Sequence, residues 1–185
     1  MIYRNLSSKI IETLEGTISQ KIISSQVKII ANLIKNIDKD GKIIVIFGNG
    51  GSAADSQHFA GELMCTYKNK KRKPLKALAL TTDTSIITAW ANDFAYESIF
   101  ERQIEGFSNQ IGLAIGLSTS GKSTNVINGL KKAEELGIKT CLISGKLSEK
   151  NSKIDYSIEI PSRDTEIIQT ITQVIYHAIC QELEK

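Results

Sequence analysis

Residues 43–66 read IIVIFGNGGSAADSQHFAGELMCT, and this stretch decides the fold. It opens on an unbroken apolar run, Ile43-Ile44-Val45-Ile46-Phe47, rich in β-branched side chains. That is the pattern of a strand buried on both faces. Gly48-Asn49-Gly50-Gly51-Ser52 follows, and its glycines let the backbone turn sharply and come close to a ligand. Residues 53–63 then read as helix. Strand, glycine turn and helix N-terminus together present free N–H groups and the positive end of a helix dipole, which suits a phosphate or a row of sugar hydroxyls. His58 and Glu62 stand four apart, on one helix face below that mouth. The turn is no nucleotide fingerprint. G-x-G-x-x-G would need glycine where Ala53 stands, and G-x-x-x-x-G-K-[ST] is absent.

Downstream, apolar runs and helical patterns alternate. Leu75–Leu80 reads as a second strand. Residues 81–85 form a loop and cap before a helix at Ile86–Trp90, Asn92-Asp93 interrupts, and Tyr96–Phe107 resumes a helical pattern. Ile111–Leu117 is a third strand, ending in Ser118-Thr119-Ser120-Gly121-Lys122-Ser123-Thr124-Asn125, with helix from Val126 to Leu136. Hydroxyls crowding a strand-to-helix turn are the donors a phosphate monoester needs. Ile138–Ser144 is a fourth strand and Ile154–Ile160 a fifth, at an edge. The last helix, begun by Pro161-Ser162-Arg163-Asp164, carries Glu166, Gln169 and His177. Gln169 and His177 lie eight apart, two steps of four, so both can face one side.

This alternation predicts an α/β fold: a three-layer αβα sandwich around a five-stranded parallel sheet. Ligands of such sheets bind beyond the carboxyl ends of the strands, where both polar turns fall. Upstream, residues 6–38 read as helix. Ile11, Leu14, Ile18 and Ile22 make one apolar stripe, and Ile23, Val27, Ile30, Ile34 and Ile37 continue it. The stripe packs either on its own domain or against another subunit. Residues 1–40 are thus expected to be an N-terminal helical extension of one domain spanning 1–185.

Composition excludes several classes. At 185 residues the chain suits one domain with a substantial core, and 41% hydrophobic with 23% charged residues is ordinary for a globular protein. A net charge of +3 is too small to argue for nucleic acid. The basic run from Lys68 to Lys73 has no interleaved aromatics for base stacking, and reads as a solvated loop. No apolar run spans a membrane, and Met1-Ile2-Tyr3-Arg4-Asn5 opens no signal peptide. Cys65, Cys141 and Cys180 form no C-x-x-C, which points to reduced thiols in a cytoplasmic protein.

The segments GNGGSAADSQHFAGEL, ANDF, STSGKSTNV and IIQ-x7-H together resemble the sugar isomerase (SIS) domain, and within it the sedoheptulose 7-phosphate isomerases. The resemblance covers nearly the whole chain. It implies a homotetramer and conversion of sedoheptulose 7-phosphate to D-glycero-D-manno-heptose 7-phosphate for bacterial heptose synthesis. It places substrate contacts on Asn49, Gly50, Gly51, Ser52, Glu62, Asn92, Asp93, Ser118, Thr119, Ser120, Ser123 and Gln169. It places zinc ligands on His58, Glu62, Gln169 and His177. A ketose–aldose isomerisation moves a proton between adjacent carbons through an enediol, with a base at carbon and a proton carrier at oxygen. Glu62 is the candidate base and His177 its partner; zinc would polarise the carbonyl. The chain's two histidines, His58 and His177, both fall on matched positions. Two positions depart from the pattern. Thr66 stands where the family carries arginine, and Thr170-Ile171-Thr172 replaces Glu-x-His. The competing readings are a non-catalytic sugar-phosphate module that works through a protein partner, and an isomerase of a related phosphosugar.

Overall fold

The computed structural model describes residues 2–19, 21–146 and 154–185. Five parallel strands form one sheet in the order β2-β1-β3-β4-β5. They are β1 (Ile43–Gly48), β2 (Ala77–Ala79), β3 (Ile111–Ser118), β4 (Lys139–Ser144) and β5 (Tyr156–Glu159). β1 and β3 pair from Ile44↔Leu113 to Gly48↔Leu117, so the two polar turns leave the sheet side by side. The chain runs from β1 outward to β2, then crosses back to β3. The cleft between β1 and β3 is therefore the switch point where open α/β sheets bind ligands. β2 is half the expected length, because only Ala77–Ala79 pair with β1. β5 lies at the other edge, as its alternation predicts.

Helices α1 (Ile2–Ser19), α2 (Ile22–Lys39), α3 (Gly51–Met64) and α7 (Thr165–Leu183) share one face of the sheet. Helices α4 (Thr84–Asp93), α5 (Ile99–Gly106) and α6 (Thr124–Glu135) take the other. Apolar side chains of β1 alternate between the layers: Ile44 and Ile46 join one core cluster, Val45 and Phe47 the other. A strand sandwiched this way must be apolar throughout, which is why it reads as a run.

The expected single helix over 6–38 is two helices. Lys21 adopts φ 52°, a left-handed conformation that a right-handed helix cannot pass through. The α2 part of the stripe is buried at Val27, Ile30, Ile34 and Ile37, whereas Ile11 on α1 is exposed. Stripe positions Ile18 and Ile22 fall outside the described side chains. α2 ends in a Schellman motif: Gly41, at φ 72°, donates to Asp38 O, and Lys42 N–H donates to Ile37 O. α6 ends the same way at Gly137 and Ile138. Asn92 and Asp93 do not interrupt α4 but form its last turn, and the break comes at Phe94–Ala95. Among the described residues no helix is long and apolar enough to cross a membrane.

Candidate active site

Two helix N-termini open on the β1/β3 cleft. α3 begins after Gly50, whose φ of 54° needs glycine, and α6 begins after Ser123. Neither cap residue makes a side-chain capping bond; in α6 Asn125 Oδ1 takes the Val126 N–H at 2.9 Å, and the earlier first-turn N–H groups are left for a ligand. Ser123 Oγ instead meets Ser118 Oγ at 3.0 Å. The turns are joined by an amide pair: Asn49 and Asn125 exchange two hydrogen bonds of 2.8 Å. Tyr96 donates its hydroxyl to Asn49 Oδ1 at 2.9 Å. Asn125 is buried and Tyr96 exposed. Both are site residues that the sequence did not single out, because their partner Asn49 lies far away along the chain.

Gly51 leaves room for a side chain of α7. A Cβ there would collide with the side-chain amide of Gln169 on α7. Gln169 therefore lies against the first turn of α3, at the mouth. His177 lies eight residues on, about 12 Å further along the helix axis.

Two turns below the mouth, His58, Glu62 and His177 bring their ligand atoms within 4.8 Å of one another. His58 Nε2 meets Glu62 Oε1 at 3.2 Å, and the two imidazoles stand edge to face with centroids 5.1 Å apart. Tyr67 stacks on the outer face of His177, centroids 5.5 Å apart. Burial pushes the His177 pKa down, His58 adds to the effect, and Glu62 opposes both. His177 is thus held neutral near pH 7. Two histidines and a carboxylate with an open side form the donor set of a catalytic zinc site, so the residues fit that metal. Gln169, the fourth residue expected in the set, rests its side-chain amide against Gly51.

Behind the cluster stand Tyr176 and Asp55, also missed in the sequence. The Tyr176 hydroxyl lies 2.8 Å from His58 Nδ1, and Gln173 Nε2 donates to Asp55 Oδ1 at 3.2 Å. A signal for Asp55 existed: 55, 58 and 62 fall at helical spacing on one face. Desolvation raises the Asp55 pKa, while hydrogen bonds from Gln173 and Tyr176 and the charge of His58 pull it back.

The basic loop after α3 has a structural task. Arg72 donates to Glu62 O at 2.7 Å and Leu63 O at 2.9 Å, placing its charge at the C-terminus of α3. It also pairs with Glu184, the residue that ends α7, at 3.3 Å. Positive charge at the hydroxyl turn comes from elsewhere. Lys122, Lys146 and Arg163, with Thr119, Ser120 and Ser162, line a cavity of about 400 Å³. None of the three cations forms an ion pair among the described residues. Gly145 lets these segments meet: a Cβ there would lie 2.6 Å from Thr119 O and 2.9 Å from Ser162 O.

Asn92 and Asp93 are exposed on α4, where Asn92 Nδ2 donates to Asp93 Oδ1 at 2.8 Å. The structure does not bring either of them to the cluster. Cys141 and Cys180 are buried with thiols pushed up to about 12, and Cys65 is an exposed free thiol.

A sheet with two anion-ready turns at its switch point and an acid–base cluster beside them defines a phosphosugar-handling domain. The SIS domain model matches residues 3–145, and the chain belongs to that family. Its relatives include the phosphoheptose isomerase of Aquifex aeolicus, 45% identical over 89% of this chain and 86% of that protein. That of Aliarcobacter butzleri is 43% identical over 100% of this chain and 93% of that protein. Among solved structures, the Neisseria gonorrhoeae phosphoheptose isomerase superposes with a TM-score of 0.82 at 30% identity, covering 100% of this chain and 99% of that one. The Francisella tularensis phosphoheptose isomerase reaches 0.87 at 24% identity over the whole of both chains, a likeness of fold.

Proposed function

We propose that the protein is a phosphoheptose isomerase, interconverting sedoheptulose 7-phosphate and D-glycero-D-manno-heptose 7-phosphate for heptose biosynthesis. The observation that carries the reading is the convergence of His58, Glu62 and His177 two helical turns below a pair of uncapped helix N-termini. The phosphate sits at the hydroxyl turn, bound by Ser118, Thr119, Ser120 and Ser123 and by first-turn amides. Lys122, Lys146 and Arg163 supply the positive field there, a task Arg72 cannot take because it caps α3. Asn49, Gly50, Gly51, Ser52 and Gln169 hold the hydroxyls of the sugar chain. Asn92 and Asp93 belong to the site through substrate contacts.

Glu62 removes the proton from the carbon next to the carbonyl. Oε1 faces His58, so Oε2 is the atom offered to the substrate. His177, neutral at pH 7, carries the proton to and from the neighbouring oxygen. His58, Glu62 and His177 are the residues that would hold zinc, which supplies a Lewis acid for the carbonyl when bound. Gln169 is assigned to the mouth on the strength of its contact with Gly51. The N-terminal segment 1–40 serves a homotetramer. In support, Ile2, Tyr3 and Ile11 are exposed on α1, and Val174 of α7 is exposed at a cavity of about 370 Å³ between α1, α2 and α7. A cytoplasmic setting follows from the free thiols and the phosphorylated substrate.

The test is turnover of sedoheptulose 7-phosphate by purified protein, with chelator and with zinc restored. Activity that falls and returns is the expected result. Activity indifferent to chelator would leave Glu62 and His177 as acid and base and remove the metal. No turnover under any condition would overturn the reading.

A further inference from the structure

One backbone group fixes the direction of every hydrogen bond to the Asn49 side chain. Val126 N–H lies 2.9 Å from one side-chain atom of Asn125. A backbone N–H only donates, so that atom is the oxygen, Oδ1. The Asn49 atom 2.8 Å from it is then the nitrogen, Nδ2, and Asn49 Oδ1 takes the return bond from Asn125 Nδ2, also at 2.8 Å. The Tyr96 hydroxyl, 2.9 Å from the same Asn49 oxygen, must donate. Turning either amide over would set donor against donor at Val126 or at the pair.

The donors and acceptors at Asn49 can be counted. Its oxygen has two lone pairs, one taken by Asn125 and the other by Tyr96. Its nitrogen has two protons. One goes to Asn125, and the other meets no acceptor among the described residues. Asn49 therefore offers a ligand a donor only. The two groups that hold it are themselves held. Asn125 is 3% exposed on the first turn of α6. Tyr96 is 50% exposed, but its short helical turn, Tyr96–Ser98, is tied on two sides. Asn128 of α6 donates to Glu97 O at 3.2 Å, and Trp90 Nε1 of α4 donates to Ser98 Oγ at 2.8 Å. Asn49 itself stands in the turn after β1, at the cleft between β1 and β3.

We propose that Tyr96 and Asn125 are positioning residues that lock the Asn49 side chain with its oxygen satisfied and one Nδ2–H left for the ligand, so that this point of the cleft selects an acceptor oxygen of the phosphosugar. The ligand half of this statement rests on the phosphosugar reading above; the lock stands by itself. Without the Tyr96 hydroxyl the Asn49 oxygen regains a lone pair, and the amide is held from one side alone.

The lock is measured first, in the ligand-free protein with ¹⁵N-labelled asparagine, the Asn49 amide being assigned by its loss in Asn49→Ala. One Asn49 Nδ2 proton is expected to exchange slowly with water. Tyr96→Phe, which keeps the ring, is expected to speed that exchange about fivefold, the worth of one hydrogen bond. The second measurement is steady-state turnover of sedoheptulose 7-phosphate. Tyr96→Phe is expected to raise KM about fivefold, with kcat within about twofold of wild type. Asn125→Ala, shown folded by its melting curve, is expected to raise KM at least as much. Beside Asn49→Ala neither change is expected to move KM further, because nothing is left to position. An Asn49 amide that exchanges freely in the wild type would overturn the proposal. So would a wild-type KM in Tyr96→Phe, or an effect of Tyr96→Phe that persists in full beside Asn49→Ala, since Tyr96 would then act on the ligand by itself. If the wild type shows the protected amide but no turnover, the isomerase reading fails and the lock stands.

Discussion

On one side of the sheet, α3 and α7 lock together the polar groups they bring to the site. On the other, α4 brings Asn92 and Asp93 and bonds their side chains to each other. The first pair of helices is stitched along its length. Gln169 rests on Gly51, Gln173 on Asp55, Tyr176 on His58, and Glu184 on the loop that returns from α3. α4 has no buried residue, and it stacks Trp90 on exposed Phe94 at 4.1 Å. Proton transfer needs atoms held to a fraction of an ångström, whereas a hydroxyl contact tolerates more play. The contrast teaches which polar groups this chain holds rigidly by its own contacts and which it leaves on an exposed helix.

The sharpest way to break this contrast is at Glu62. Glu62→Gln keeps the shape and removes the base, so kcat is expected to fall about 10³-fold while phosphosugar binding survives. A steady-state coupled assay with a binding titration measures both. Near-normal kcat would remove Glu62 from the chemistry. Gly51→Ala comes next. The added methyl must displace the end of the Gln169 side chain, which can swing away at little cost to the fold. The expected result is a kcat/KM about tenfold lower, through the displaced Gln169 amide, with little change in melting temperature. A Gly51→Ala change that lowers kcat/KM no further once Gln169→Ala is in place would show that the collision is the cause.

Asp93→Ala probes the loose side. Asp93 is exposed at the C-terminal end of α4, where a negative charge opposes the helix dipole. Stability is expected to stay within about 0.5 kcal/mol of wild type, as for most surface changes. If Asp93 contacts the substrate, kcat/KM falls about tenfold nonetheless. An unchanged kcat/KM would take Asp93 out of the site.

Much of this contrast can be traced to what a sequence carries. β1 and its turn were legible because a strand covered on both faces must be apolar throughout, and glycines must follow where φ turns positive, as at Gly50. The stripe on α3 was legible because helical spacing is local. The break at Lys21 was not: a lysine in the left-handed region leaves no mark in the pattern. The expected interruption at Asn92-Asp93 failed because polar residues close a helix as readily as they break one, and α4 buries no face to show its length. Tyr96 and Asn125 were invisible as partners of Asn49, since each bond joins residues far apart in the chain. Eight-residue spacing put Gln169 and His177 on one side of α7 correctly. The same spacing fixes the ~12 Å rise between them, which separates mouth from cluster, but not where each side chain reaches.

The far end of the stitched pair offers the mildest test, and it separates a structural carboxylate from a catalytic one. Glu184 accepts backbone N–H groups of Tyr67, Lys68 and Asn69 at 3.1, 2.9 and 2.9 Å, and it pairs with Arg72. Burial alone would raise its pKa; the three amides and the guanidinium reverse that and hold it below the usual range. A carboxyl with a depressed pKa in the folded state stabilises that state above its unfolded pKa, near 4.3, and loses this contribution as pH falls through the folded value. Glu184→Gln keeps one acceptor oxygen and loses the charge. The variant is expected to be less stable than wild type by about 1 kcal/mol at pH 7. The gap should narrow as pH falls below the unfolded value and close as it passes through the lower folded one, where wild-type Glu184 also takes up its proton. Urea melts at a series of pH values measure the gap. A difference that persists unchanged to pH 3 would mean that shape, not charge, ties the loop to α7. Turnover per folded molecule at pH 7 is expected to change less than twofold, because Glu184 acts on the end of α3 through Arg72 and touches none of His58, Glu62 or His177.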